Sequence, residues 1–373
     1  MKRLSSFAVC VAFVLPLEAH ASDDDLRRVA TAWAQRRASL SGIRLRVEGM
    51  AVVPKGTLTA DPELRIAGEV PPTDYLSPER RLFVLDIAGF RSRIGSEREG
   101  FSFAKGEFAS EYSQAVSDGK RQRWLRPRDK NPVQRRDPDL VVDDSVPTPT
   151  AELLLEAVDY PMYYACGYVP TATRPLTRDL RSTPVEIPGL EKITTRDVQG
   201  HRAVVLHTGW KGARGDITEE LTCDLGRQGA ILRYQISQSA MPLLVTDISL
   251  QSIQGYWIPK SWTTTHYGSH KGQSRVIKSY QMAIVQCEMN PSFTSEEFEI
   301  PMNAGQLIRY EDSTQLYRIA PDGKTLVPVQ DANDPASGGW KTIALFAVSF
   351  GVALAGVAVF VLARRRHVRP AVQ

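Results

Sequence analysis

Cysteine is scarce in this sequence, with four residues in 373. Cys10 lies in an N-terminal apolar run, which leaves Cys166, Cys223 and Cys287 for the rest of the chain. An odd number excludes more than one intrachain disulfide, and the spacings do not match a zinc site. The strand-like surroundings of Cys223 and Cys287 make these two the predicted pair. Three buried free thiols acting as small apolar residues are the alternative.

The sequence lacks the short motifs of common enzyme classes. It contains no G-x-S-x-G, no P-loop and no H-E-x-x-H. Its carboxylate pairs are sequence neighbours, which point to opposite faces of a strand and cannot face each other across a cleft. Such pairs occur at Asp143-Asp144, Glu219-Glu220 and Glu296-Glu297. We therefore expect solvated carboxylates, no catalytic residue and no cofactor.

Histidine is also rare, and its placement does not favour a metal site. His266 and His270 have the spacing of a metal pair on a helix. However, three threonines at 263–265 and Gly268 between the two histidines favour strand and turn. The ligand geometry would then fail, and we expect no metal.

Basic charge is lacking where a nucleic-acid-binding protein would need it. The net charge is +4, but residues 1–21 carry +1 and residues 341–373 carry +5. The residues between them therefore carry −2, and the basicity belongs to the two ends of the chain. This distribution argues against a nucleic-acid partner.

Long apolar runs are confined to the two ends. The run from Ile343 to Ala363 has no charged residue and is followed by three arginines at 364–366. About 20 such residues span a ~30 Å hydrocarbon core as a helix, and the arginines should stay in the cytoplasm. We predict a membrane helix at 342–363 and a basic cytoplasmic tail at 364–373.

The same helix carries small residues at intervals of four: Ala347, Gly351 and Ala355. Such a stripe permits close packing with a partner helix or a second copy of the chain.

The N-terminus has the pattern of a cleavable signal peptide. Two basic residues at 2–3 precede an apolar stretch, and Ala19-His20-Ala21 has the small-x-small pattern of a cleavage site. The predicted organisation is a signal peptide at 1–21, an exported domain at 22–320 and a flexible tether at 321–341 that leads to the membrane helix. It places the protein in the bacterial inner membrane, with the N-terminal domain in the periplasm.

The exported part should be mainly β. Residues 23–40 have helical spacing, and then Ile43, Leu45 and Val47 alternate with charged residues as in a half-buried strand. Closely spaced strands continue to residue 299, with hairpin signals such as Asp118-Gly119. The predicted fold is α+β: a large curved antiparallel sheet, or half-barrel, wrapped around short helices.

Two segments are candidate binding sites. One is aromatic and could line an apolar concavity or fill the core beneath the sheet; it comprises Tyr160, Met162, Tyr163, Tyr164 and Tyr168. The other is a basic stretch around Trp124, which is either a site for anionic head groups or acidic polysaccharide, or a solvated loop. Its candidate contacts are Lys120, Arg121, Arg123, Arg126 and Arg128.

The order of elements resembles the LolA-like fold of periplasmic lipoprotein carriers and of RseB/MucB-type sensors. Three stretches add to the resemblance: the hairpin Ser113 to Trp124, the run Gly255 to Lys260, and Asn290 to Gly305. The resemblance implies a non-enzymatic envelope protein that binds a lipid-like ligand, a lipoprotein or another protein partner. A structural or adhesion module without a pocket is the alternative, and a hydrolase comes third.

Overall fold

The structure of the chain is a computed structural model. It describes residues 19–20, 23–57, 70–102, 107–125, 140–143, 157–169, 190–198, 200–212, 215–270, 273–310, 313 and 315–329. Within these residues, seventeen strands form one sheet. All pairings are antiparallel except the one between β7 and β15.

The first half of the sheet is a meander of six strands, in which each strand pairs with the next. Its strands are β2 (Gly42–Val53), β3 (Tyr75–Asp86), β4 (Arg91–Ser102), β5 (Glu107–Ser117), β6 (Gln122–Leu125) and β7 (Leu140–Asp143). The turn between β5 and β6 contains the predicted Asp118-Gly119 pair, and Gly119 has a φ of 86°. The carboxylate of Asp118 accepts from the N–H groups of Lys120 and Arg121, which closes the turn.

The second half is a meander of seven longer strands. Its strands are β8 (Leu190–Val198), β9 (His201–Gly212), β10 (Gly215–Asp224), β11 (Ala230–Gln238), β12 (Met241–Ile253), β13 (Tyr256–His270) and β14 (Gln273–Met289). A two-residue strand, β1 (Ala19–His20), pairs with β8 at Thr194 and Thr195.

The two halves are joined by pairing between β14 and β2. Gly49 makes a close approach possible there, because a Cβ at this position would lie 2.0 Å from the carbonyl oxygen of Gln281. One continuous sheet results, with its larger core on one face.

Two short helices lie against that inner face. Helix α1 (Asp23–Ser39) packs Val29 and Trp33 into the core, and α2 (Tyr160–Tyr164) is itself buried. The indole N–H of Trp33 donates to the carbonyl of Gly229 at 2.7 Å, and that of Trp262 donates to the carbonyl of Val158 at 2.8 Å. These bonds fix both helical segments to the second half of the sheet.

A smaller apolar cluster covers the other face of the first half. Val84, Val116 and Val142 pack there against Phe298, Ile300 and the strands that follow. Those strands are β15 (Leu307–Tyr310), β16 (Leu316–Ile319) and β17 (Leu326–Pro328). The predicted tether therefore begins later than residue 321, because Leu326–Pro328 pairs with β16 as part of the sheet.

The mainly β fold with a large curved sheet and few helices is confirmed. In the described part of the chain, no helix is both long and apolar enough to cross a membrane. The predicted span at 342–363, with its stripe of Ala347, Gly351 and Ala355, lies outside that part, as do residues 1–18 of the predicted signal peptide.

Candidate functional site

A groove of about 870 Å³ lies on the sheet face opposite the core, across β8 and β10–β13. One row of paired residues crosses it, from Thr222 to Arg233, Asp247 and Thr263. The adjacent row, which includes Leu221, Tyr234, Thr246 and Thr264, is buried on the core side. Because side chains alternate along a strand, the first row points outward. We call this site the outer groove.

Arg196 lines one side of the outer groove from β8. Its Nη2 donates to the hydroxyl of Thr222 at 2.6 Å, so its side chain crosses β9 to reach β10. Thr222 is a neutral acceptor, and no carboxylate lies within salt-bridge distance of Arg196 in the described chain. Within the described residues Arg196 therefore forms no contact ion pair, although its charge, after the hydrogen bond from His207, helps to lower the pKa of the nearby Glu220.

Arg227 and Trp257 also line the groove. The guanidinium carbon of Arg227 lies 4.9 Å from the indole ring centroid, within the range of a cation–π contact. Its Nη1 lies 3.5 Å from the buried carboxylate of Asp224, and its Nη2 lies 3.2 Å from Nε2 of His201. These contacts hold the cation and the half-buried aromatic ring as one platform.

The lining of the groove is also rich in hydrogen-bonding groups. Arg233 donates to Asp247 at 3.0 Å, and the hydroxyls of Ser249 and Ser261 lie 2.7 Å apart. Thr263 is exposed beside Asp247. Such groups can exchange hydrogen bonds with a hydroxyl-rich ligand.

The side chains of Glu219 and Glu220 point to opposite faces of β10. Glu220 points outward, 3.3 Å from Nδ1 of His207, and the hydrogen bond from His207 lowers the pKa of this carboxyl. Glu219 is only 1% exposed and accepts hydrogen bonds from Tyr234 and Thr208. The expectation that both are solvated is wrong for Glu219, because inward-facing hydroxyls replace water around it.

The aromatic segment fills the core. Met162, Tyr163, Tyr164 and Tyr168 are each 3% exposed or less, and Tyr160 is half-buried. Burial, followed by the nearby Glu219 and Asp159, raises the pKa of Tyr160 to about 12. Of the two sequence-based interpretations, core filling beneath the sheet is the arrangement that the fold adopts.

Several buried polar side chains keep atoms without a hydrogen-bond partner in the described chain. Among them are the hydroxyls of Tyr163 and Tyr164 and the Nε and Nη2 atoms of Arg36. Arg36 is 3% exposed and donates from Nη1 to the carbonyl of Tyr164 at 3.2 Å. Burial lowers its pKa to about 10, so it remains charged at neutral pH.

The predicted basic site is split by the sheet. Lys120 and Arg121 are exposed at the turn, and Arg123 is half-buried on β6. Trp124, which was expected among the arginines, is 3% exposed and packs in the core on the opposite face from Arg123. Arg126 and Arg128 lie outside the described residues.

The predicted disulfide between Cys223 and Cys287 is not formed, because both are free thiols, as is Cys166. Cys223 lies on β10 and Cys287 on β14, with three strands between them. At about 4.8 Å per strand that path along the sheet is roughly 19 Å, against a Cα separation of at most about 7 Å for a disulfide. Among the described residues, no group of three or more potential ligands is placed to hold a metal ion.

Comparison with known proteins gives weak structural likenesses. No protein-family model and no curated protein matches the chain. A DUF1329 family protein from Desulfovibrio piger covers 75% of this chain and 98% of its own, with 8% identity and a TM-score of 0.34. A beta-barrel-like DUF1849 protein from Brucella abortus covers 67% and 99%, with 8% identity and a TM-score of 0.24. A porin-like protein from Bacteroides uniformis covers 66% and 97%, with 7% identity and a TM-score of 0.20. Such scores carry no argument about function, and the LolA-like resemblance stays a prediction.

Sequence reasoning missed the outer groove. The sequence patterns point to Trp257 only as part of the run Gly255 to Lys260, and they do not mark Arg196, Arg227 or Arg233 as site residues. The available signal was the polar half of each alternating strand, for example Thr222, Arg233 and Asp247. That signal does not tell which outward residues meet, because strand register is set by the tertiary fold.

Proposed function

We propose that this protein is a non-enzymatic, membrane-anchored protein of the bacterial envelope that binds an oligosaccharide in its outer groove. Export by residues 1–21 and anchoring by the helix at 342–363 are parts of this proposal. The observation that carries it is the combination, in one groove of about 870 Å³, of a half-buried tryptophan with hydrogen-bonding side chains.

The chemistry of the groove fits a sugar better than a fatty acyl chain. An indole packs against the C–H face of a sugar ring while the polar groups around it bond to the hydroxyls. Ser249, Ser261, Thr263 and Asp247 supply such groups within the groove. A site for an acyl chain would need a mostly apolar lining, which the outer groove does not have.

Trp257→Ala in the full-length chain tests the proposal. We expect binding of hexasaccharides, measured by calorimetry in mild detergent, to weaken at least tenfold, because the stacking surface is lost. Tyr112→Ala is the matched control: Tyr112 is 47% exposed on β5 and does not line the outer groove. If neutral and acidic hexasaccharides all fail to bind the unmodified protein, the proposal is wrong.

A lipid-like ligand inside the domain is the second candidate function. It is favoured by the buried hydroxyls of Tyr163 and Tyr164 and the partly unpaired guanidinium of Arg36. An unsatisfied buried polar group costs about 1–3 kcal/mol, and an amphipathic acid with its head group at Arg36 would remove such a cost.

Tyr164→Phe separates this candidate from a solid core. If an acyl lipid bonds to the hydroxyl, the variant should carry less lipid by mass spectrometry of solvent extracts and should unfold more easily. If the hydroxyl is unpaired, the variant should be as stable as the unmodified protein or more so, with no change in extractable lipid. Tyr160→Phe is the control, since Tyr160 is only half-buried.

A further inference from the structure

We infer that the outer groove selects a saccharide that carries an acidic group, and that Arg196 is the residue that binds this group. The inference rests on the proposed function and adds the ligand class and the residue that determines it.

The three arginines of the groove differ in how far their charges are already neutralised. Arg233 forms an ion pair with Asp247 at 3.0 Å. Arg227 lies 3.5 Å from a carboxylate oxygen of Asp224, whose side chain is fully buried. Arg196 contacts a hydroxyl, that of Thr222, at 2.6 Å. The groove therefore has one arginine without a contact ion pair in the described chain.

The contact with Thr222 also orients Arg196. Thr222 is 1% exposed and fixed in the β10 ladder, so its hydroxyl is a rigid acceptor. A guanidinium has five N–H donors, and this bond uses one of them. The remaining donors form the planar fork that pairs with two oxygens of a carboxylate or phosphate. Arg196 itself is exposed, so a ligand in the groove can reach it.

The carboxylates around the groove differ in which arginine they contact. Asp247 pairs with Arg233 and Asp224 with Arg227, whereas Glu220 contacts His207. After the hydrogen bond from His207, the charges of Arg196 and Arg233 help to lower the pKa of Glu220, but no ion-pair contact joins Glu220 to Arg196 within the described chain. An acidic sugar would place an anion in direct contact with Arg196 while its ring lies toward Trp257.

The test compares hexagalacturonate with maltohexaose on the full-length chain in mild detergent. We expect the acidic hexasaccharide to bind at least tenfold more tightly at low salt, and the preference to shrink as salt is added. Arg196→Gln should abolish the preference, because hexagalacturonate then loses its contact with the guanidinium and binds no more tightly than maltohexaose. Arg275→Gln is the matched control, since it removes an arginine of β14 that does not line the groove.

The outcomes separate the inference from the proposed function. Equal affinity for both hexasaccharides, or an acidic preference that survives Arg196→Gln, overturns the inference and leaves the proposed function standing. Binding of neither hexasaccharide overturns both. Competition by galacturonic acid and by glucose 6-phosphate then identifies the acidic group: the stronger competitor shows whether the fork of Arg196 prefers a carboxylate or a phosphate.

Discussion

Arg81 on β3 donates from Nε to the carboxylate of Asp159, next to α2, at 3.2 Å. Its Nη1 also lies 2.8 Å from the carboxylate of Glu79 and donates to the hydroxyl of Ser96. The side chains of the two ion-paired carboxylates and of Arg81 are at most 4% exposed. This network ties the start of α2 to the first half of the sheet, while the bond from Trp262 ties the same segment to the second half.

Arg81→Met should strongly destabilise the domain. It would leave two carboxylates buried without this cation, a change that typically costs about 3–5 kcal/mol of unfolding free energy. Urea denaturation followed by tryptophan fluorescence measures the loss. Arg80→Met is the control, because its ion pair with Glu97 is exposed and should contribute less than about 1 kcal/mol. Equal losses in the two variants would contradict the buried network.

Gly49→Ala should weaken the junction between the two halves of the sheet. A Cβ there would lie 2.0 Å from a backbone oxygen of Gln281, which cannot move without disturbing the ladder of β2 and β14. We expect a loss of at least about 1–3 kcal/mol, as for overpacked sites. Thermal unfolding by circular dichroism measures this effect. Gly95→Ala should be tolerated, since its nearest contact would be an ordinary 3.6 Å to Cβ of Leu82.

Glu297 should contribute stability that depends on pH. Burial raises the pKa of this carboxyl, but the N–H of Thr294 and the guanidinium of Arg44 outweigh burial and lower it below its usual value. A lowered folded-state pKa stabilises the fold above the unfolded value of about 4.3, and the contribution is lost as the pH falls through the folded value.

Glu297→Gln should therefore lower the melting temperature at pH 7 and have little effect near pH 3. Melting curves at a series of pH values test this expectation. Glu107→Gln provides the control, because Glu107 is exposed and lies on β5, outside the Arg44 contact. A difference between Glu297→Gln and the unmodified protein that stayed constant down to pH 3 would contradict the assignment.

The three thiols of the domain should react at different rates. Cys287 is partly exposed, although burial, followed by the nearby Glu288, raises the pKa of its thiol to about 11. Cys166 and Cys223 are fully buried, and burial raises the pKa of each. Alkylation of the native protein followed by peptide mass spectrometry should label Cys287 first. Detection of a peptide that links Cys223 to Cys287 would contradict the free thiols.

Local patterns in the sequence predicted much of the fold. The alternation of Ile43, Leu45 and Val47 with charged residues identified β2, because a strand with one buried face has an apolar side chain at every second position. All three side chains are fully buried. The acidic start and helical spacing identified α1, which ends at Ser39. These features depend on neighbours in the chain, so they can be read without knowledge of the fold.

Long-range pairing could not be predicted in the same way. Leu140 lies opposite Ile308 in the parallel ladder of β7 and β15. Nothing in the sequence of either short strand indicates that these two strands pair. The same limit explains why the predicted disulfide is wrong. Cys223 and Cys287 both lie in strands, but the sequence does not show how many strands separate them in the sheet. The candidate site was missed for this reason too, since Arg196 and Thr222 meet across an intervening strand.

The sequence by itself determined the class of fold, hairpin turns such as Asp118-Gly119, and the core face of strands with clear apolar alternation such as β2, because backbone geometry and hydrophobic burial act over short distances along the chain. The tertiary structure decided that the aromatic segment fills the core, that Glu219 is buried while Glu220 is not, and that Arg196, Arg227 and Trp257 line one groove. Each of these depends on strand register and sheet order, which bring together residues far apart in the sequence, such as Arg36 and Tyr164. A pattern of polar and apolar residues does not specify such pairings, because many registers satisfy the same alternation.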